Sequence, residues 1–234
     1  MIMTHTQHRT PGPAGLSHLT GNQRGAQEAT QARHSFTPAV AQRERVTGQA
    51  AEAVLLGGFL YAAAGGTHDK EMIAIAQVLL RRAGVQGYAG LAGYFASRDA
   101  LRLGVPRTHP RCIAFEAATD AERAAHPGMR RALACAQQVL QGSVPDLTRG
   151  AWFWEGPSLR QGGSRHPRRQ AGIRFTQPGH NLYHLPDARR TASPGSPALQ
   201  TRAEREAQIA FESTAAWGAS IFFRHPAAWL RAHG

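Results

Sequence analysis

Lysine is almost missing from this chain: Lys70 is the only one among 27 basic residues, which face 15 acidic ones. The formal charge of +12 therefore rides on arginine, and a pI near 11.3 points to an anionic partner. Carboxylates are few enough that each one matters as a candidate acid. Cysteine is also scarce. The two residues, Cys112 and Cys135, exclude a scaffold built on disulfides and read as small apolar core residues. No run of eighteen apolar residues occurs, so no transmembrane helix is expected. The opening MIMTHTQHRTPGPAG lacks the charged-then-apolar layout of a signal peptide. A basic helix or an aromatic-basic sheet motif is missing too, and the arginines gather in loops, so no nucleic-acid partner is expected. Internal repeats are absent.

What is present divides into three stretches. Residues 1–46 are rich in Thr, Gln, His, Pro, Gly and Arg without an apolar period, and read as a flexible basic leader. Residues 47–190 carry the periodic segments. AAEAVLLGGFLYAAA (50–64) reads as a helix weakened by Gly57 and Gly58 and ended by Gly65-Gly66. A second helix comes next, with Asp69 and Glu71 suited to its positive N-terminal end, Met72, Ile73, Ile75, Ala76, Leu79 and Leu80 as a buried face, and Arg81-Arg82 at its negative end. Helices are also expected over 87–104 and within 120–142, where Met129, Ala132, Leu133, Ala136, Val139 and Leu140 repeat at helical spacing. Short strands are expected at GAWFW (150–154), AGIRF (171–175) and NLYHL (181–185), with a long basic loop over 155–170 and another over 186–200. Residues 191–234 read as a C-terminal extension packing on this domain: a helix over 201–218, then a short aromatic strand or turn at Ile221–Phe223. The fold class is α+β, a mostly helical domain with a small antiparallel sheet in its second half.

Three segments together resemble one family. In YAAAGGTHDKEMIAIAQVLLRR (61–82), Tyr61, Gly66, Ala74, Val78, Leu80 and Arg82 fall on the YGEARGE…AVAxVxLNR pattern of the SleB/CwlJ-type cell-wall hydrolases. VPDLTRGAWFW (144–154) stands where that family has a DPTGGA turn and an aromatic strand, and Gly179-His180-Asn181-Leu182-Tyr183 resembles its closing GxHxFY strand. The departures are Ala63 and Thr67 for two glutamates, Gly65 for Arg and Arg81 for Asn. The resemblance implies a lysozyme-like α+β fold that cleaves peptidoglycan glycan strands as a muramidase or lytic transglycosylase, without metal or cofactor. A lytic transglycosylase needs one carboxylic acid, which protonates the glycosidic oxygen and then takes the proton of the attacking 6-hydroxyl. Such an acid works best where a partly apolar pocket raises its pKa.

Ala63 falls where the resemblance implies that acid. Three explanations cover it: a glutamate replaced by hand in an intact enzyme, which is the preferred one and makes this form inactive; a degenerate relative that only binds the wall or an immunity protein; or another acid. Glu71 and Glu155 are the alternatives, though Glu71 also suits the helix dipole and Glu155 a loop edge. Tyr61, Trp152, Trp154, His180 and Tyr183 are the expected substrate-binding residues, with His180 able to line the cleft or orient the acid. Arg160, Arg165, Arg168 and Arg169 are candidates for holding peptide carboxylates. His180 and His184 alone do not make a zinc site. The expected setting is an antibacterial effector of a type VI-like secretion system or a phage lysin. It would be made in the bacterial cytoplasm and act in the periplasm or cell wall after non-classical export, with peptidoglycan and a cognate immunity protein as partners.

Overall fold

A computed structural model describes residues 38–188 and 201–233, with side chains left out at 38–46, 101, 102 and 203. Most of the expected leader, and residues 189–200, lie outside the described residues. The chain divides into two units, Met1–Arg45 and Val46–Gly234, and the described elements belong to the second unit and to the helix that leads into it. Helix α1 (Pro38–Ala64) contains both glycines that weaken its propensity. Packing explains Gly57: a Cβ there would lie 2.8 Å from Cζ of Phe115, whose buried ring fills the space. The helix ends at Gly65 and Gly66, with φ of 68° and 70°. Gly66 is required twice over, because a Cβ would also meet the Gly128 backbone at 2.8 Å.

Helix α2 (Asp69–Val85) is the centre of the unit. Glu71 to Ala76, Val78, Leu79 and Ala83 are all buried, so it is covered on nearly every side. Helices α3 (Leu91–Phe95), α4 (Pro110–Ala117), α5 (Asp120–Ala125) and α6 (Pro127–Leu140) follow. Helices α3 and α6 pack on α2, α5 packs on α6, and α4 lies against α1 through Phe115. Of these, α6 presents Ala132, Cys135, Ala136 and Val139 to the core at the expected spacing. Cys112 and Cys135 are both free and buried. The helix expected over 87–104 is shorter: α3 spans five residues, followed by a 3-10 turn at Ala100–Leu103.

The sheet lies on the other flank of α2. Its strands are β1 (Phe153–Glu155), β2 (Ile173–Arg174), β3 (Phe211–Trp217) and β4 (Ser220–Arg224), in the order β1-β4-β3-β2. β1/β4 and β4/β3 are antiparallel, and β2 is added parallel to β3. One face, with Ala215 and Phe222, packs on the helical core; the other, with Ile221 and Phe223, closes over a smaller cluster with Leu159 and Ile173. Three short helical pieces replace the expected loop over 155–170: α7 (Ser158–Gln161), a 3-10 turn and α8 (Pro167–Ala171). Helices α9 (Arg202–Ala207) and α10 (Ala227–His233) complete the chain. The architecture is α+β, with the sheet in the C-terminal half.

Three further expectations are corrected. The helix over 201–218 stops at Ala207, and residues 211–217 form β3 instead, because the hairpin partner β4 supplies backbone hydrogen bonds to it. Residues 191–234 are not an appended extension, since β3 and β4 lie between β1 and β2 in the sheet. NLYHL is not a strand. Asn181 uses both ends of its amide on Leu185, donating to the carbonyl at 2.7 Å and accepting from the N–H at 2.9 Å, and His184 turns at φ 51°. The backbone groups a strand would need are thereby taken.

A buttress holds the two flanks together. Arg81 donates to Thr148 Oγ1 (3.2 Å), to Asp146 Oδ2 (2.9 Å) and to the Ala151 carbonyl, and Gln77 bonds Pro145 and Leu147. From the sheet, Thr214 Oγ1 donates to the Thr148 carbonyl (2.6 Å) and Trp217 Nε1 to the Leu147 carbonyl (3.0 Å). The 144–151 turn is thus clamped between α2 and β3.

Candidate active site

A cavity of about 620 Å³ opens where α1, α2, β1 and the β3–β4 hairpin meet. Ala63 and Ala64 line it from the end of α1, Glu71 from the first turn of α2, Trp154 and Glu155 from β1, and Ala219 and Ser220 from the hairpin. Glu71 is the buried acid of this cavity, at 3 % exposed. Its Oε1 accepts a 2.7 Å hydrogen bond from Ser220 Oγ and a 3.2 Å bond from the Ala219 N–H. Oε2 receives none among the described residues.

The hairpin is shaped to reach this carboxyl. Trp217 pairs with Ser220, which leaves Gly218-Ala219 as a two-residue loop with φ of 57° at the glycine. A Cβ on Gly218 would sit 2.1 Å from Glu71 Oε2, so only glycine lets the turn press this close. Tyr183 Oη donates to the Ala219 carbonyl on the same turn, and burial together with the charge of Glu71 raises its phenol. Burial likewise pushes the Glu71 carboxyl above the ordinary glutamate value. The bonds from Ser220 and Ala219 and the nearby His68 pull it down but do not cancel the desolvation.

Glu155 lies in the same cavity in a different environment. Its Oε1 accepts from Arg168 Nε at 2.5 Å and its Oε2 from Ser158 Oγ at 3.2 Å, with His166 Nε2 at 3.7 Å. The His166 ring also caps α8, accepting from the Arg168 N–H through Nδ1. Burial lowers both His166 and Arg168 from their usual values, while Glu155 acts in the opposite sense. The cavity thus offers one solvent-starved carboxyl, Glu71, and one paired with the Arg168 guanidinium, Glu155.

Of the expected residues, Ala63, Glu71, Trp154 and Glu155 come together here. Tyr183 stands behind the hairpin turn. Tyr61 does not face the cavity: its ring packs on Phe115 and His126 with Arg111 over its face. His180 is a packed residue, with Nδ1 3.0 Å from Ser213 Oγ and 3.2 Å from Thr176 Oγ1, and burial lowers its pKa. Arg168 lines the cavity, whereas Arg160, Arg165 and Arg169 do not.

Trp152 belongs to a second, larger cavity of about 1030 Å³, together with Phe153, Arg174, Glu212, Arg224, Pro226 and Leu230. Arg82 lines both cavities. Sequence reasoning missed Gly218, Ala219 and Ser220. The signal available was WGAS between two strand-like runs, a glycine turn of the kind that closes hairpins. Among the described residues, no cluster of three or more His, Cys, Asp or Glu could hold a metal ion, and no helix is long and apolar enough to cross a membrane. No family model matches the chain, and no match is found among curated proteins or solved structures.

Proposed function

We propose that the protein cleaves the glycan strands of peptidoglycan, with Glu71 as its single acid/base. The observation that carries this is the buried Glu71 carboxyl, raised in pKa and open to a cavity shared with a tryptophan. With Oε1 held as acceptor by Ser220 and Ala219, the proton of the neutral acid resides on Oε2, which is the arrangement a general acid requires. Oε2 protonates the glycosidic oxygen as the bond to the anomeric carbon breaks. The resulting carboxylate then accepts a proton, from the muramic acid 6-hydroxyl in a transglycosylase or from water in a muramidase. Trp154 offers a face for a sugar ring.

The resemblance to SleB/CwlJ-type enzymes supports the same reading. Its acid belongs at position 63, and Ala63 lines the cavity that Glu71 occupies. In this proposal the acid has moved across the Gly65-Gly66 turn, and the chain as it stands is active. The lysozyme-like character of the domain, and delivery as an antibacterial effector or phage lysin opposed by an immunity protein, belong to this proposal. A second reading, a peptidoglycan-binding module without activity, rests on the methyl group at position 63.

Digestion of purified sacculi separates the two. The native chain is expected to release muropeptides, ending in anhydro-muramic acid if the 6-hydroxyl attacks and in reducing sugar if water does. Glu71→Gln lowers the rate by roughly 10²–10⁴. Equal inactivity of the native chain and Glu71→Gln, with retention on sacculi, favours the binding module.

A further inference from the structure

We propose that the larger cavity binds the acidic peptide branch of the substrate, with Arg82 as the residue that reads its carboxylates. The inference rests on the glycan-cleaving reading and adds a second site to it. Arg82 and Glu71 are eleven residues apart on α2, close to three turns, so both face the same way and lie about 16 Å apart along the axis. The cleft that begins at Glu71 reaches Arg82, and Arg82 also lines the larger cavity. Its guanidinium stands 5.9 Å from the Phe153 ring centroid, and Arg168 lies 4.8 Å from the same ring. Phe153 lines the larger cavity, Arg168 the smaller one and Arg82 both.

Charge and shape suit a short acidic peptide. Among the described residues Arg82 has no carboxylate within ion-pair distance, unlike Arg81 and Arg168. The larger cavity is lined by three arginines and one glutamate. Arg174 is paired with Glu206 and Glu212, and Arg224 with Glu212, so Arg82 carries the positive charge left for a ligand. Its remaining walls are largely apolar, and Leu230 stands 48 % exposed there. Small methyl side chains and several carboxylates on an extended backbone match both features. At about 3.3–3.6 Å per residue, about five extended residues span the distance from Glu71 to Arg82. A neutral glycan such as chitin has no group for this site.

The test is titration calorimetry on the full chain with the soluble stem tetrapeptide, alanyl-glutamyl-diaminopimelyl-alanine, and with the same peptide amidated at its carboxyls. The native chain is expected to bind the acidic form. Amidation, Arg82→Gln and Leu230→Asp are each expected to weaken binding about tenfold or more. Circular dichroism verifies that the two variants are folded. No binding of the tetrapeptide, or binding that amidation and both variants leave unchanged, overturns the proposal. Cleavage of peptide-free glycan strands is measured in parallel. Cleavage without peptide binding sinks this inference alone, whereas peptide binding that the variants weaken, without any cleavage, upholds the site and sinks the glycan-cleaving reading.

Discussion

Ser220 Oγ donates a 2.7 Å hydrogen bond to Glu71 Oε1, joining two residues 149 positions apart in the chain. The bond does two things. It fixes the rotamer of a buried acid, and it lowers a pKa that burial raises. Ser220→Ala removes one of the groups holding that pKa down. In the proposed mechanism activity requires the protonated acid, so it falls as pH rises through the Glu71 pKa. The alkaline limb of the pH–rate profile on sacculi is therefore expected to move to higher pH in Ser220→Ala. A limb that stays put or moves down would show that Ser220 does not act on the acid.

Glu71→Gln has an expected signature in stability as well as in activity. The folded pKa lies above the unfolded one, so the native state binds more protons between the two values, and unfolding free energy falls as pH rises through that window. Below the ordinary glutamate range the acid is neutral in both states and the cost vanishes. Glutamine is neutral at every pH. The melting temperature of Glu71→Gln relative to the native chain should therefore rise from pH 4 to pH 8, as thermal scans at the two values would register. A difference that shrinks across the range contradicts a buried, raised carboxyl.

On the proposed mechanism, Gly218→Ala should cost more in catalysis than in folding. The backbone sits at φ 57°, and the new Cβ would fall 2.1 Å from Glu71 Oε2. Strain of this kind costs about 1–3 kcal/mol. The hairpin or the carboxyl must also shift, which displaces the acid from the cavity. Urea titration measures the first effect and sacculus digestion the second. A variant with native rate would show that the close approach of the turn is incidental.

Arg81→Ala tests the buttress between α2 and the sheet. The ion pair with half-exposed Asp146 contributes little on its own, less than about 1 kcal/mol. The larger loss comes from the buried Ala151 carbonyl left without the Arg81 donor, while the Thr148 hydroxyl keeps the Ala151 N–H, so a total of about 1–3 kcal/mol is expected in urea titration. Asp146→Asn should be milder at neutral pH. Burial alone would raise the Asp146 carboxyl, and the bonds from Thr148 and Gly150 with the Arg81 charge outweigh it and hold it low. Its stabilising share is present above the unfolded value and lost as pH falls through the folded one, so the Asp146→Asn deficit should shrink in acid.

Helices were legible wherever one face is apolar. Met72 to Leu80 and Met129 to Leu140 carry a 3.6-residue period that needs no partner to be seen. Strand β3 was not legible for a physical reason. Glu212, Ser213, Thr214 and Ala215 are all buried, because the sheet is covered on both faces, so the two-residue alternation that marks a half-exposed strand is missing. Its alanines then favour a helical reading. Residues 181–185 misled in the opposite way: their composition suits a strand, but the Asn181 amide captures the backbone groups locally. Motif position points to His180 and Tyr61 as site residues, and packing sends each elsewhere.

By itself the chain of residues determined a helix ending at two glycines, a strongly apolar second helix, an arginine-borne charge and a shortage of acids. Those features are local, set by propensity, periodicity and composition. Which carboxyl becomes the buried acid of the cavity was decided only by the tertiary structure. Glu71 in an isolated helix would be a solvated first-turn acid, stabilised as an anion by the helix dipole. The β3–β4 hairpin reaches it from the far end of the chain, excludes water and supplies Ser220 and Ala219 as donors. Desolvation depends on what is brought across in space, and no spacing along the chain encodes it.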